Sequence, residues 1–170
     1  VTQPPPESGQ PDHVSSIRRT AKEVHGFDDW PGRDAPALPA PFLPDYGVLD
    51  DLALEHRGRM PNTRHAFVDK LTGAAGTRVA VWVHQYPTPA DAQEGLVNVL
   101  ERSMLLRLPS CAERGMEPVG DVCFCGSADP IGFVVFTRAS VLVRVQSIGD
   151  TPVSVTRTAA ELDRQVTAAR

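Results

Sequence analysis

The chemically richest set of side chains is Cys111, Cys123 and Cys125, the three cysteines of this 170-residue chain. Cys123 and Cys125 stand two apart in the β-rich run Gly120-Asp121-Val122-Cys123-Phe124-Cys125. On a strand both side chains therefore point to the same face. Their Cβ vectors then run parallel, and a bridge between the two would be strained. Cys111 lies upstream, in the loop after a long helix, and can reach either. A Cys111–Cys123 or Cys111–Cys125 bridge closes a loop of about a dozen residues, which the chain-entropy model values at about 3 kcal/mol. One cysteine is then left over, buried as a small apolar residue or free to pair between chains. Two other chemistries stay open. Cys-x-Cys with a third thiolate is a donor set for Cu(I) or Zn²⁺, with a histidine such as His84 or His65 completing it. Alternatively, all three are buried, inert thiols.

A second group of candidates lies on a sheet face. In Thr77-Arg78-Val79-Ala80-Val81-Trp82-Val83-His84-Gln85-Tyr86, alternation puts Val79, Val81 and Val83 on one face. Arg78, Ala80, Trp82 and His84 share the other, with Leu142 and Arg144 from a later strand. An Arg-plus-aromatic face suits a protein partner or an anionic ligand. A flat face would favour the protein, an apolar cleft beside it a small molecule.

Other motifs are missing. The histidines, at 13, 25, 56, 65 and 84, have no i, i+4 pairing. Asp28-Asp29 and Asp50-Asp51 are adjacent acids, which point apart in solvated turns and do not make a catalytic dyad. Ser110 has no Gly-x-Ser-x-Gly context. Gly73-Ala74-Ala75-Gly76 is a hairpin turn with no following Lys-Thr, so it is not a phosphate loop. No cofactor is expected.

The elements that position these residues come from the C-terminal two thirds, because 12 of the 16 prolines precede position 90. Residues 1–10 read as a Pro-rich linker, a tether of the kind that follows a removed signal peptide or a lipid-anchored N-terminus. Residues 11–63 form a second unit packed on the core. It begins with a short helix over Val14 to Val24 that stops at Gly26, its apolar face made by Val14, Ile17, Ala21 and Val24. From Phe27 to Pro44 proline density excludes helix and central strand, and an extended segment is pinned by Trp30, Leu38, Phe42 and Leu43. Val48 to Leu54 reads as a short helix or an edge strand, and Arg57-Gly58-Arg59 as a loop.

Residues 64–170 are the core domain. Two strands flank the turn at 73–76. Thr88-Pro89-Ala90-Asp91 then opens a helix, with Thr as cap, Pro at the first position and Asp favoured by the helix dipole. Its stripe is Ala92, Leu96, Val99, Leu100, Ser103 and Leu106. Three strands follow, over 120–125, 131–137 and 141–147. Asp150-Thr151-Pro152 opens the last helix, with Val155, Ala159, Leu162 and Val166 inward. The order ββ-α-βββ-α predicts an α+β two-layer sandwich, an antiparallel sheet with the helices packed on one face.

Several of these pieces resemble a layout found in small exported bacterial proteins and lipoproteins with a PsbP- and Mog-type fold. They are Pro89-Ala90-Asp91-Ala92, Gly120-Asp121, the hairpin Phe136-Thr137-Arg138-Ala139-Ser140-Val141, and a terminal helix carrying Ala160-Glu161-Leu162-Asp163. The resemblance covers residues 64–168, and Ala139-Ser140 stands where Gly-Asn is usual at the hairpin turn. It implies an extracytoplasmic binding or accessory protein and transfers no active-site residue.

The formal net charge of −4 argues against a nucleic-acid partner. No apolar run reaches the roughly 20 residues that span a bilayer. The sequence therefore predicts a non-enzymatic, extracytoplasmic accessory or binding domain tethered by its N-terminal linker. Its ligand or partner face is Arg78, Trp82, His84 and Arg144. The alternative is a metal-handling or thiol-based enzyme centred on Cys111, Cys123 and Cys125.

Overall fold

The structure, a computed structural model, describes residues 13–61, 63, 65–102 and 107–170. The proposed linker over 1–10, and Ser103 and Leu106 of the helix stripe, lie outside the described residues.

Alternating side chains in the C-terminal two thirds build one antiparallel sheet of six strands, ordered β1-β2-β3-β6-β5-β4. The strands are β1 (Leu52–Arg59), β2 (Ala66–Gly73), β3 (Arg78–Gln85), β4 (Val122–Cys125), β5 (Phe133–Arg138) and β6 (Val141–Ser147). Helices α1 (His13–Val24), α2 (Pro89–Arg102) and α3 (Thr156–Ala168) pack around it. The expected α+β class and antiparallel sheet are what the chain forms.

Details depart from the sequence reading in physically instructive ways. The segment around Leu52 is the edge strand, not the helix, and it extends through Arg57-Gly58-Arg59, read above as a loop. Its register against β2 shifts between Leu54 and His56, a bulge of the kind that marks edge strands. The two long helices lie on opposite faces. Val79, Val81, Val83, Val143, Val145, Val134 and Phe136 form one cluster with Val155, Ala159, Leu162 and Val166 of the α3 segment. Strand alternation turns Val135, Leu142, Val122 and Phe124 the other way, and these pack with Leu96 and Leu100 of α2. Strands buried on both faces thus supply the two cores.

Helix starts also separate. Thr88 caps α2 as its sequence promises: its hydroxyl accepts the Asp91 N–H (3.1 Å) and donates to the Asp91 carboxylate (2.7 Å). The second Thr-Pro does not cap. The backbone N–H groups of Val153 and Val155 are instead taken by Ser147 Oγ (3.1 Å) and Ile131 O (2.9 Å). The chain stays tied to the sheet until Val155 is buried, and α3 starts at Thr156.

The Pro-rich segment crosses from one face to the other. Trp30 packs with the α2-side cluster, whereas Leu38, Phe42, Tyr46 and Leu49 are buried in the α3-side core. Leu43, expected among the anchors, is 61 % exposed. Two side-chain amides hold this backbone as a neighbouring strand would. Gln85 accepts from Phe42 N–H (2.8 Å) and donates to Ala40 O (3.0 Å). Gln165 does the same at Asp45, accepting from its N–H (2.9 Å) and donating to its carbonyl (2.7 Å). Below it lies a buried ionic knot. Asp69, with no exposed surface, accepts from Arg57 Nε and Nη2 and from the Tyr46 hydroxyl, each at 2.7 Å.

Candidate functional site

Each sulfur has a defined place. Ser110 makes an isolated bridge to Phe124 at the outer edge of β4, which brings Cys111 beside that strand. Cys111 and Cys123 form a disulfide, with Cα atoms 5.5 Å apart. Backbone bonds brace it, from Cys111 N–H to Cys123 O (3.1 Å) and from Cys125 N–H to Pro109 O (3.0 Å). Cys125 is the free thiol; it has no exposed surface, and burial pushes its pKa up. Two of the three sulfurs are thus joined and the third is enclosed and held protonated. Among the described residues no group of three or more His, Cys, Asp or Glu side chains is placed to hold a metal ion.

The Gly-Asp and hairpin elements converge on a second polar knot. Arg138 donates to both Asp163 oxygens (2.6 and 2.7 Å) and to Asp121 (3.0 Å). Asp121 also accepts from the N–H of Ala139, whose φ of 49° is the positive value the turn demands. At Gly120, φ 72°, a Cβ would come 2.5 Å from Thr137 O, so the close approach of chain to hairpin needs glycine. The two carboxylates hold Arg138 between them, and the knot is a clasp that ties the β5–β6 turn to α3.

The concave site lies on the other face. Helix α2 packs over β5 and β6 and leaves β3 partly uncovered. A cleft of about 540 Å³ opens between them. Its floor comes from Trp82 and His84 of β3 and from Leu142 and Arg144 of β6. These strands pair so that Trp82 stands opposite Arg144 and His84 opposite Leu142. One wall is a face of α2, with Gly95, Asn98, Val99 and Arg102 spaced i, i+3, i+4 and i+7; Tyr86, Val83 and Met60 complete the lining.

Packing fixes the floor. The Arg144 guanidinium lies 3.8 Å from the Trp82 ring centroid and donates from Nη2 to Gln146 Oε1 at 2.9 Å. Such a stack holds the planar fork in place. Arg144 Nε is buried without an acceptor, and burial lowers the pKa of the guanidinium. His84 stacks on Tyr86, with ring centroids 4.0 Å apart and planes at 22°. Burial depresses the His84 pKa and raises that of Tyr86. Tyr86 reaches the helix where it has no side chain: a methyl on Gly95 would overlap the Tyr86 hydroxyl.

Of the four residues assigned to a ligand face, Trp82, His84 and Arg144 meet in this cleft and Arg78 does not. Arg78 is four residues from Trp82 along β3, roughly 13 Å at strand rise. It is exposed and paired with Glu55 at 3.6 Å. The α2 wall and Tyr86 were not among the sequence candidates. Their signal is the i, i+3, i+4, i+7 spacing from Gly95 to Arg102, hidden beside the stronger stripe through Leu96 and Leu100.

Comparisons of the chain with protein-family models, with curated proteins and with solved structures find no match.

Proposed function

We propose that this chain is a non-enzymatic, extracytoplasmic binding domain that takes a small-molecule ligand in the cleft between α2 and strands β3 and β6. The observation that carries the reading is the shape of the Arg-plus-aromatic surface. Trp82, His84 and Arg144 do not lie on a flat face but at the bottom of a concavity of about 540 Å³. That size falls within the roughly 300–1,000 Å³ of small-molecule sites. A mostly apolar lining with a few fixed polar groups is also the composition of such sites.

Two features support placement outside the cytoplasm. A structural disulfide, Cys111–Cys123, suits an oxidising compartment. The resemblance of the sequence order over residues 64–168 to small exported lipoproteins points the same way. No helix among the described residues is long and apolar enough to cross a membrane. The thiol-centred alternative has one thiol left to work with, enclosed and less acidic than usual.

The test is a fragment screen of chemically mixed composition, read by amide chemical shifts of the isotope-labelled protein. Saturable shifts at the cleft-lining positions of β3, β6 and α2, lost in the cleft-filling variant Val99→Trp, support the reading. Fragments that shift no cleft position, or shift it equally in Val99→Trp, overturn it.

A further inference from the structure

The cleft's charge is one-sided. Its described lining holds two arginines, Arg102 and Arg144, and no carboxylate. Neither arginine has an ion-pair partner among the described residues, whereas Arg57 and Arg138 elsewhere in the fold are each locked on carboxylates. Leaving a guanidinium half-buried beside apolar side chains without a counter-charge is unfavourable, and an acceptor that enters with negative charge recovers that energy. Arg144 is also immobilised in advance by Trp82 and Gln146, so little side-chain entropy remains to be lost on binding. Beside the two cations lie the Tyr86–His84 stack and the aliphatic groups of Val99 and Leu142.

We propose that the cleft selects small organic anions with a flat apolar body, of the class of aromatic carboxylates. The acid group meets the guanidinium donors of Arg144 and Arg102, which match a carboxylate's two oxygens. The ring lies against Tyr86, Val99 and Leu142, surfaces that reward flat apolar groups. Arg144 supplies the larger share because it is half-buried and pre-positioned. Arg102 is exposed, and salt screens it. This inference rests on the small-molecule reading above.

The experiment uses three probes of one shape and three charges: 2-naphthoate, 2-naphthalenemethanol and 2-naphthylmethylammonium. Each is titrated into the labelled chain and into Arg144→Gln and Arg102→Gln, with folding of the variants checked by their amide spectra. The expected result is saturable binding of 2-naphthoate in the cleft, about tenfold tighter than the neutral probe, which is about 1.4 kcal/mol. Arg144→Gln lowers naphthoate affinity about tenfold. Arg102→Gln lowers it two- to threefold at low salt, an effect that disappears at high salt. Either substitution changes binding of the neutral probe less than it changes binding of 2-naphthoate. If Arg144→Gln does not fold, the Arg102→Gln salt dependence and the probe ranking decide alone. Equal binding of the three probes in the cleft, or preference for the ammonium, overturns the anion selectivity while the small-molecule reading stands. If none of the three moves a cleft resonance at millimolar concentration, the anion proposal fails, and the broader fragment screen decides the reading beneath it.

Discussion

Asp69→Ala should be the most destabilising of the polar substitutions, for reasons of burial and geometry. Asp69 has no exposed surface and satisfies three donors at 2.7 Å, two from Arg57 and one from Tyr46. Removing it strands a guanidinium and a phenol under the Pro-rich segment, where Arg57 also donates to Pro44 O at 3.2 Å. Breaking a buried ion pair from one side costs about 3–5 kcal/mol. Arg57 keeps 25 % of its side-chain surface exposed, so water recovers part of that loss. The effect then falls near the lower end, about 3 kcal/mol. For a chain of this size each kcal/mol moves the melting temperature by roughly 2–4 °C, so the midpoint should fall by roughly 6–12 °C. Tyr46→Phe removes one charge-assisted hydrogen bond and leaves the pair intact, at about 1.5–2 kcal/mol. Replacing both charges, as Arg57→Met with Asp69→Leu, should cost less than Asp69→Ala alone, because no stranded charge remains. Urea and thermal denaturation of the four proteins measure the series. A loss under 1 kcal/mol in Asp69→Ala, or a double variant less stable than the single, would refute the argument that the knot anchors the segment.

Other predictions follow from the same geometry. Alkylation with intact-mass analysis should find one blocked thiol only after unfolding, and a gain of about 2 Da on reduction as the bridge opens. Reduction, or Cys111→Ser with Cys123→Ser, should lower stability by about 3 kcal/mol, and three reactive thiols in the unreduced protein would contradict the bridge. Gly95→Ala gains about 0.8–1.0 kcal/mol of helix propensity but drives Tyr86 out of its seat, so overall stability should change little. Its cleft should narrow and probe affinity should drop several-fold, and unaltered affinity would show that Tyr86 does not shape the site. His84 carries a pH signature. Its folded pKa lies below the ordinary imidazole value of about 6.5, because burial disfavours the charged ring. The unfolded chain therefore binds the proton first as pH falls. The stability this group contributes is fully present above about pH 6.5 and is lost as pH drops through the lower folded value. His84→Gln should flatten that part of the stability–pH curve, measured by urea denaturation from pH 7.5 to 5; an identical slope in both proteins would show that His84 is not the sensor.

What could be read from sequence was whatever one element's own pattern decides. Alternation placed Val79, Val81 and Val83 inward, and Thr88-Pro89-Ala90-Asp91 specified a capped helix. The two-residue spacing of Cys123 and Cys125 made their direct bridge strained and put Cys111 within reach of either, without deciding which pair forms. Features set by contacts distant in sequence were not legible. Burial of both sheet faces depends on where α2 and α3 land, and a valine-rich strand reads alike whether one face or two are covered. Asp69 sits in a strand pattern that allows it inside only if Arg57 and Tyr46 arrive from other segments. The path of the Pro-rich segment depends on Gln85 and Gln165, whose amides look like ordinary surface groups until a proline-rich backbone is laid against them. The cleft was half legible. Trp82, His84 and Arg144 fall on one face by alternation, but the α2 face that turns them into a concavity needed the helix position. Arg78 shares their face and lies too far along the strand to join them.

The proposed ligand site is the cleft rather than another surface. The chain's two tryptophans make a direct test. Trp82 forms the cleft floor, while Trp30 packs between Phe27 and Phe124 and bonds His25 O at 2.7 Å. The measurement is the pair of indole N–H resonances during titration with 2-naphthoate. Binding in the cleft should give a saturable shift of the Trp82 signal with Trp30 unmoved. A Trp82 signal that stays fixed while Trp30 or other surface positions shift would contradict it.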